Sequence, residues 1–427
     1  MKITLISTYD LGRQPFGLAS PAAWLRRAGH QVECADLAVT KLSESAVRNA
    51  NVIAFFLPMH TATRLALPVI DRVQRLNPGA RLIAYGLYAP LSADVLHEHG
   101  VDAIAGGEFE AELVKFANGE STAEISLERL EFLTPDRRGL DGPYARLQVF
   151  DNGRRGSRQV AYTEASRGCK HMCRHCPIVP VYQGNFRVVQ RDVVLSDIRQ
   201  QVAAGAQHVT FGDPDFFNGP THAMRIVEEL HREFPAITYD ATIKIEHLLK
   251  HRDLLPHLRE TGCLFVISAV ESVDDRVLQK LEKNHTRRDF YEAATLMRIA
   301  GLTLQPTFIP FTPWTTIEGY RDLLRAISEL DLVEHVAPVQ LALRLLVTAG
   351  SRLRELPEFA HNSDWFNTDG AVETLYQRVF GLVAARTKQN VSRTEIFSEI
   401  CATAGYEASL NLLPRAAIPY LDEPWYC

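Results

Sequence analysis

Three cysteines fall within eight positions in the segment Glu164-Ala165-Ser166-Arg167-Gly168-Cys169-Lys170-His171-Met172-Cys173-Arg174-His175-Cys176-Pro177. The thiolate is the metal-binding form of cysteine, and an iron-sulfur cubane takes one thiolate per iron. A compact CxxxCxxC loop can wrap three corners of a 4Fe-4S cluster and leave the fourth iron open to another ligand. A zinc site completed by His171 or His175, or a loop of reduced thiols, would use the same residues. Structural zinc usually draws on two paired ligand sets, and no second Cys or His pair of suitable spacing follows. The cluster is therefore the expected occupant of Cys169, Cys173 and Cys176.

Such a loop needs a rigid element before it, and the apolar run Gln159–Thr163 reads as a strand. Downstream, helices near Val193–Ala204, His222–Arg232 and His247–Glu260 alternate with strands His208–Phe211, Thr238–Ile243, Leu264–Ala269, Thr303–Ile309 and Val339–Leu345. Strands alternating with helices imply a parallel sheet, and six of them imply a partial barrel with ligand loops at the strand C-terminal ends. Those ends carry Asp213, Asp215, Asn218, Lys244, Glu246, Ser268, Glu271, Ile309 and Arg344. Plainer roles exist for several: Asp213-Pro214 as a turn, Glu271 as a helix cap, Lys244 and Arg344 as rim charges.

Upstream, strands Lys2–Ser7, Gln31–Cys34, Val52–Leu57 and Arg81–Ala84 alternate with helices near Ala19–Arg27, Ala62–Leu76 and Ser92–His97. This predicts a doubly wound parallel sheet of about five strands, closing near Gly106-Gly107. Ligands of such sheets sit beyond the strand C-terminal ends, here the loops with Tyr9, Asp10, Pro58, Met59, His60, Gly86 and Tyr88. The expected organisation is an α/β chain: a Rossmann-like module over 1–118, a turn-rich connector over 119–158, a partial barrel over 159–350 and a helical region over 351–427. In the last, Leu375, Val379, Phe380 and Val383 mark one apolar helix face.

A net charge of −5 gives no field for attracting nucleic acid or anionic membrane, and no apolar run is long enough to span a bilayer. A cytoplasmic protein acting on a small molecule is expected. The remaining cysteines, Cys34, Cys263, Cys401 and Cys427, are scattered, which does not suit a disulfide framework.

The cysteine segment and the strand ends after it resemble the radical S-adenosylmethionine (SAM) family. The resemblance implies that SAM chelates the open iron and is cleaved after electron transfer from a reductant such as flavodoxin or ferredoxin. Phe211-Gly212-Asp213-Pro214 takes the place of the family's Gly-Gly-Glu-Pro motif, implying that Asp213 receives the SAM ammonium. Lys244 and Arg344 become candidates for the SAM carboxylate, and Glu246, Ser268 and Glu271 for the ribose. Ile309 resembles the adenine-packing strand end, and His175, where a larger aromatic is usual, would lie near adenine. The first module resembles the cobalamin-binding domain that precedes many such barrels. The Asp-x-His-x-x-Gly motif of that fold is absent, because Asp10-Leu11-Gly12-Arg13 does not match it. Cobalamin is thus a possible cofactor, with a scaffold the alternative.

The terminus Asp422-Glu423-Pro424-Trp425-Tyr426-Cys427, with the motifs above and Leu343-Arg344-Leu345-Leu346, resembles radical SAM proteins ending in Cys-Cys-Ala-Glu-Pro or its selenocysteine counterpart. The natural chain is then expected to continue past Cys427 through selenocysteine. Soft ligands at a terminus suit a thiophilic element. Similarity to the radical SAM enzyme of arsinothricin biosynthesis implies 3-amino-3-carboxypropyl transfer to trivalent arsenic, with Cys427 and Cys401 as acceptor-binding thiols. A cobalamin-dependent radical methylase is the alternative, and a non-catalytic iron-sulfur or zinc redox or sensor protein a third.

Overall fold

The computed structural model describes residues 1–151, 154–359, 365–407 and 420–422. Its first sheet holds β1 (Lys2–Ser7), β2 (Gln31–Asp36), β3 (Val52–Phe56), β4 (Arg81–Tyr85), β5 (Ala103–Gly107) and the two-residue β6 (Ile125–Ser126), all parallel, in the order β2-β1-β3-β4-β5-β6. Every residue of β3, Val-Ile-Ala-Phe-Phe, is buried, because helices cover both faces of a parallel sheet. Ile3, Leu5, Ala54, Phe56 and Tyr85 face the helices Phe16–Arg27 and Phe109–Asn118. Ile6, Ile53, Phe55 and Ala84 face the helices His60–Leu76 and Ala93–Glu98.

The expected end of the sheet at Gly107 is replaced by the extra strand β6. Gly107 makes that pairing possible: its φ is +71°, and a Cβ there would lie 2.1 Å from the Ser126 carbonyl oxygen. Replacing Gly107 with alanine combines left-handed strain with a backbone clash. It should cost about 2 kcal/mol or more, read as a lower midpoint with unchanged slope in urea unfolding.

The second sheet runs β14 (Thr303–Phe308), β13 (Cys263–Glu271), β12 (Thr238–Thr242), β11 (His208–Phe211), β8 (Arg154–Thr163), β7 (Arg146–Asp151) and β15 (Tyr420–Asp422). The first five are mutually parallel, whereas β7 and β15 are antiparallel additions. The expected turn-rich connector thus contains most of a hairpin that extends the barrel sheet. The expected sixth strand, Val339–Leu345, does not form. A 3₁₀ turn occupies Pro338–Leu341, and one parallel bridge between Phe311 and Arg344 stands in for the strand. Pro338 fixes its own φ and lacks an N–H for a ladder. Pro306 in β14 is tolerated because β14 is the edge of this sheet.

The helices Arg191–Ala203, Pro220–Glu233, Arg287–Ile299 and Ile317–Glu329 cover the outside of the sheet. The helices Gly370–Lys388 and Arg393–Thr403 join the same core through Leu375, Val379, Val383, Ile396 and Ile400. Phe380, expected on that face, is 48% exposed. Among the described residues no helix is long and apolar enough to cross a membrane.

Arginines join the two sheets. Arg137 binds both oxygens of Asp197 at 2.7 and 2.8 Å and donates to the Tyr162 carbonyl at 2.6 Å. Its third contact is Gln14 of the first sheet.

Candidate active site

The cysteine loop begins at β9 (Ser166–Gly168), which pairs antiparallel with β10 (Phe186–Val188). Gly168 has a φ of +73°, and a Cβ there would meet Tyr182 at 2.4 Å and the Asn185 carbonyl at 2.5 Å. Only glycine admits the turn that aims Cys169. Beyond it the loop is tied down by distant backbone: Arg174 N–H donates to Leu281 O at 3.0 Å, and Ser351 Oγ donates to Arg174 O at 2.9 Å. The fully buried Asn218 accepts from Lys170 N–H at 3.2 Å, and its Oδ1 lies 3.9 Å from Cys169 Sγ. Asn218 thus positions the loop.

Cys169 and Cys173 are buried and Cys176 is half-buried. Burial pushes the Cys169 thiol up and the Cys176 thiol to about 12. Thiols held protonated in this way yield to a metal, which replaces the proton. Two ammonium groups attend them. Lys244 Nζ lies 3.9 Å from Cys173 Sγ, and the buried Lys283 has its pKa raised by Glu271, Cys173 and Cys176 against the opposing effect of burial.

Glu271, at the end of β13, has a left-handed φ of +67°. Its Oε1 lies 3.1 Å from His175 Nε2 and 3.3 Å from Lys283 Nζ. Burial pushes its carboxyl up, but Lys283 and His175 outweigh it and hold the pKa near 2. The helix that Glu271 was alternatively expected to cap is capped by Asp274. The structure thus brings together His175 and Glu271 and adds Lys283. That lysine was invisible in the sequence because Glu282-Lys283-Asn284 carries no motif and its partners lie far along the chain.

Asp213 is 2% exposed, and its two oxygens accept from Ala165 N–H at 2.9 Å and Ser166 Oγ at 2.6 Å. It ties β11 to the start of the cysteine loop. Burial raises its pKa to about 7 despite those donors. A raised folded pKa contributes stability below the unfolded value, near 3.8, that is lost as pH rises through 7. Between pH 5 and 8 the melting temperature of Asp213→Asn should therefore rise relative to wild type. A pH-independent difference would contradict the raised pKa.

Lys244 and Glu246 lie 3.6 Å apart, and Glu246 Oε2 is also 3.6 Å from His171 Nδ1. Ser268 is fully buried, and its Oγ has no hydrogen-bond partner among the described residues. Ile309 packs into a satellite core beside Leu281 and Leu345. Arg344 is engaged by residues of the C-terminal region. Its guanidinium stacks 4.2 Å from the Trp365 ring centroid and pairs with Glu373 at 2.7 Å, because the missing sixth strand lets it fold outward onto the C-terminal helices. Cys401 lies in the core, with its thiol raised to about 12 by burial. Cys427 lies outside the described residues.

From the first sheet, Tyr9 and Asp10 are buried, Pro58 and Met59 are half-buried, and His60 is exposed at the start of its helix. Burial, and then the charge of Cys176, raise the Tyr88 pKa to about 12. Gly86 has a φ of +105°, and a Cβ there would meet the Leu57 carbonyl at 3.0 Å.

A curled parallel sheet with three loop cysteines at one strand end, and a doubly wound sheet closed over that loop, define an iron-sulfur barrel protein of two parallel sheets. Residues 163–327 match the family model of the radical SAM superfamily, so the chain carries a radical SAM domain. It is 25% identical over 329 residues to hopanoid C-3 methylase of Methylococcus capsulatus, covering 70% of this chain and 62% of the relative. Ribosomal protein uS12 methylthiotransferase RimO of Parabacteroides distasonis is 25% identical over 189 residues, 40% of this chain and 42% of RimO. The chain therefore spans less than two thirds of either relative's length. The radical SAM methyltransferase TsrM from Kitasatospora setae, solved with cobalamin and a 4Fe-4S cluster, shares the fold with a TM-score of 0.62 at 15% identity. The match covers 82% of this chain and 77% of TsrM.

Proposed function

We propose that this chain is a cobalamin-dependent radical SAM transferase that moves the methyl group of SAM to a small-molecule acceptor. The observation that carries the reading is the approach of the first sheet's strand ends to the cysteine loop, through the ion pairs of Arg167 with Glu108 and Glu110 just past β5. In a sheet of order β2-β1-β3 the ligand crevice lies at these strand ends, so the approach turns the crevice toward the cysteine loop. The residues fit a bound cofactor there. The buried Ser7 Oγ at the end of β1 has no partner among the described residues, and Gly86, where a Cβ would press on the Leu57 carbonyl and the Phe56 ring, keeps the loop after β4 close to the end of β3. The first module, 1–118, would hold the corrin without a histidine from the loop after β1.

When bound, the cluster with SAM supplies one-electron reductive chemistry and cobalamin a methyl-carrying cobalt. Cys169, Cys173 and Cys176 hold the cluster. Lys244 and Lys283 place positive charge beside its sulfurs, which favours the reduced state delivered by a flavodoxin or ferredoxin and gives the SAM carboxylate a partner. Asp213 and Glu271 lie at the strand ends toward the ammonium and ribose, with Glu246, Ser268 and His175 around them. Burial of the cysteine loop excludes water from this chemistry.

The relatives' names carry methyl and methylthio transfer, which favours this reading over aminocarboxypropyl transfer to arsenic. Anaerobic turnover with reconstituted cluster, hydroxocobalamin, SAM and reductant tests it. S-adenosylhomocysteine and a retained corrin band are expected. Methylthioadenosine would indicate aminocarboxypropyl transfer instead, and loss of the corrin on desalting would remove cobalamin from the mechanism.

A further inference from the structure

Beside the cysteine loop, three side chains from separate elements converge: His171 from the loop, Asp215 after β11, and His247 in the first turn of the helix Ile245–Lys250. Asp215 is fully buried, and its two oxygens have different surroundings. Oδ1 caps the short 3₁₀ turn by accepting from Phe217 N–H at 3.3 Å and also accepts from Lys244 N–H at 3.5 Å. Oδ2 lies 2.7 Å from His247 Nδ1 and 3.5 Å from His171 Nε2. Neither approach has hydrogen-bond alignment: Asp215 Oδ2, His247 Nδ1 and His171 Nε2 are all buried without a hydrogen-bond partner among the described residues. Unpaired buried polar atoms are costly, and here Asp215 Oδ2 faces two imidazole nitrogens, neither aligned to donate to it.

We propose that His171, Asp215 and His247 bind a mononuclear divalent transition metal, zinc or iron(II), distinct from the 4Fe-4S cluster. Two imidazoles and one carboxylate are a ligand set used by both metals. Bonds of about 2.0–2.1 Å place tetrahedral ligand atoms about 3.3 Å apart, and the 2.7 and 3.5 Å separations bracket that value. The rings of His171 and His247 lie 4.9 Å apart. Glu246 Oε2, 3.6 Å from His171 Nδ1, stands where a carboxylate would fix the tautomer of a metal-bound imidazole. Three protein ligands leave at least one position for water or a substrate oxygen, which makes the site an open Lewis-acid site rather than a closed structural one. Cys169 Sγ lies within 4.8 Å of the His171 and Asp215 donors, so the metal would adjoin the cluster.

The test uses the full chain with its cluster reconstituted, so that the cysteines are occupied, dialysed against buffered zinc alone. One zinc per chain above the cluster iron is expected, with a zinc-edge absorption spectrum showing only nitrogen and oxygen at about 2.0–2.1 Å and no sulfur at about 2.3 Å. His247→Gln should weaken zinc binding about tenfold or more while iron and sulfide content hold. Absence of zinc from cluster-loaded wild type, a sulfur shell, or unchanged binding by a folded His247→Gln would each overturn the proposal. Because iron is counted in the same samples, a failure of cluster assembly is distinguished from a failure of this site.

Discussion

Replacing Cys173 with serine should abolish cluster assembly and reduce SAM cleavage on the order of a thousandfold or more, to background. The cluster needs one thiolate per protein-held iron, and a hydroxyl is a harder, weaker ligand whose proton iron does not readily displace. Among the described residues the other cysteines, Cys34, Cys263 and Cys401, lie in other elements of the fold. Cys263 is buried in the barrel core and Cys401 beside the C-terminal helices. The fold should survive, because one sulfur becomes one oxygen in a loop held by Leu281, Ser351 and Asn218. Iron and sulfide analysis after anaerobic reconstitution, with SAM products read by mass spectrometry, checks this. Cys401→Ser provides the contrast, with full cluster content and turnover. A Cys173→Ser protein that retained a full complement of cluster iron would remove Cys173 from the ligand set.

The cysteine loop and the alternation of strands and helices were legible in the sequence because both are local patterns. A CxxxCxxC spacing lies within eight residues, and an all-apolar strand such as Val52–Phe56 declares its own burial. The contacts around the loop were not legible, because they join residues far apart. Lys283 meets Glu271 across a turn and sits beside Cys173 and Cys176, and His247 meets Asp215 across 32 positions. The partners of Arg344 were hidden for a related reason: the apolar stretch Val339–Leu345 resembles a strand, but after Pro338 it forms only one bridge, and the guanidinium engages Trp365, Tyr376 and Glu373. Cys401 was read from its chemistry alone. It lies on the buried side of the helix Arg393–Thr403. Asp213 and Asn218 were found by position, yet their contacts hold the loop in place.

Arg167 shows how much of the site depends on one residue that motif reading passed over. It stands two positions before Cys169 and is buried, with its guanidinium spread over three carboxylates. Two bonds of 2.6 and 2.9 Å go to Glu110, one of 2.7 Å to Glu164 and one of 3.4 Å to Glu108. The rings of Phe109 and Phe132 flank it at 5.0 and 4.9 Å. Glu108 follows β5 and Glu110 lies in the first turn of the helix Phe109–Asn118, so this cluster clamps the cysteine loop to the other half of the molecule. Arg167→Met should cost about 3–5 kcal/mol, because it leaves buried carboxylates uncompensated. Combining it with Glu110→Gln should recover part of the loss, since one stranded charge is then gone. Burial already raises the Glu108 pKa to about 7 against the opposing pull of Arg167, and also raises that of Glu164. Without the guanidinium these carboxyls prefer the proton still more. Raised folded pKa values favour the fold at low pH and penalise it as pH rises, so the penalty of Arg167→Met should be larger at pH 8 than at pH 5. Urea unfolding at the two pH values measures it. Equal penalties, or a loss below about 1 kcal/mol, the range of an exposed pair, would show that the clamp contributes little. A freed loop should also assemble its cluster poorly, so iron content ought to fall with stability in Arg167→Met and recover with it in the double variant.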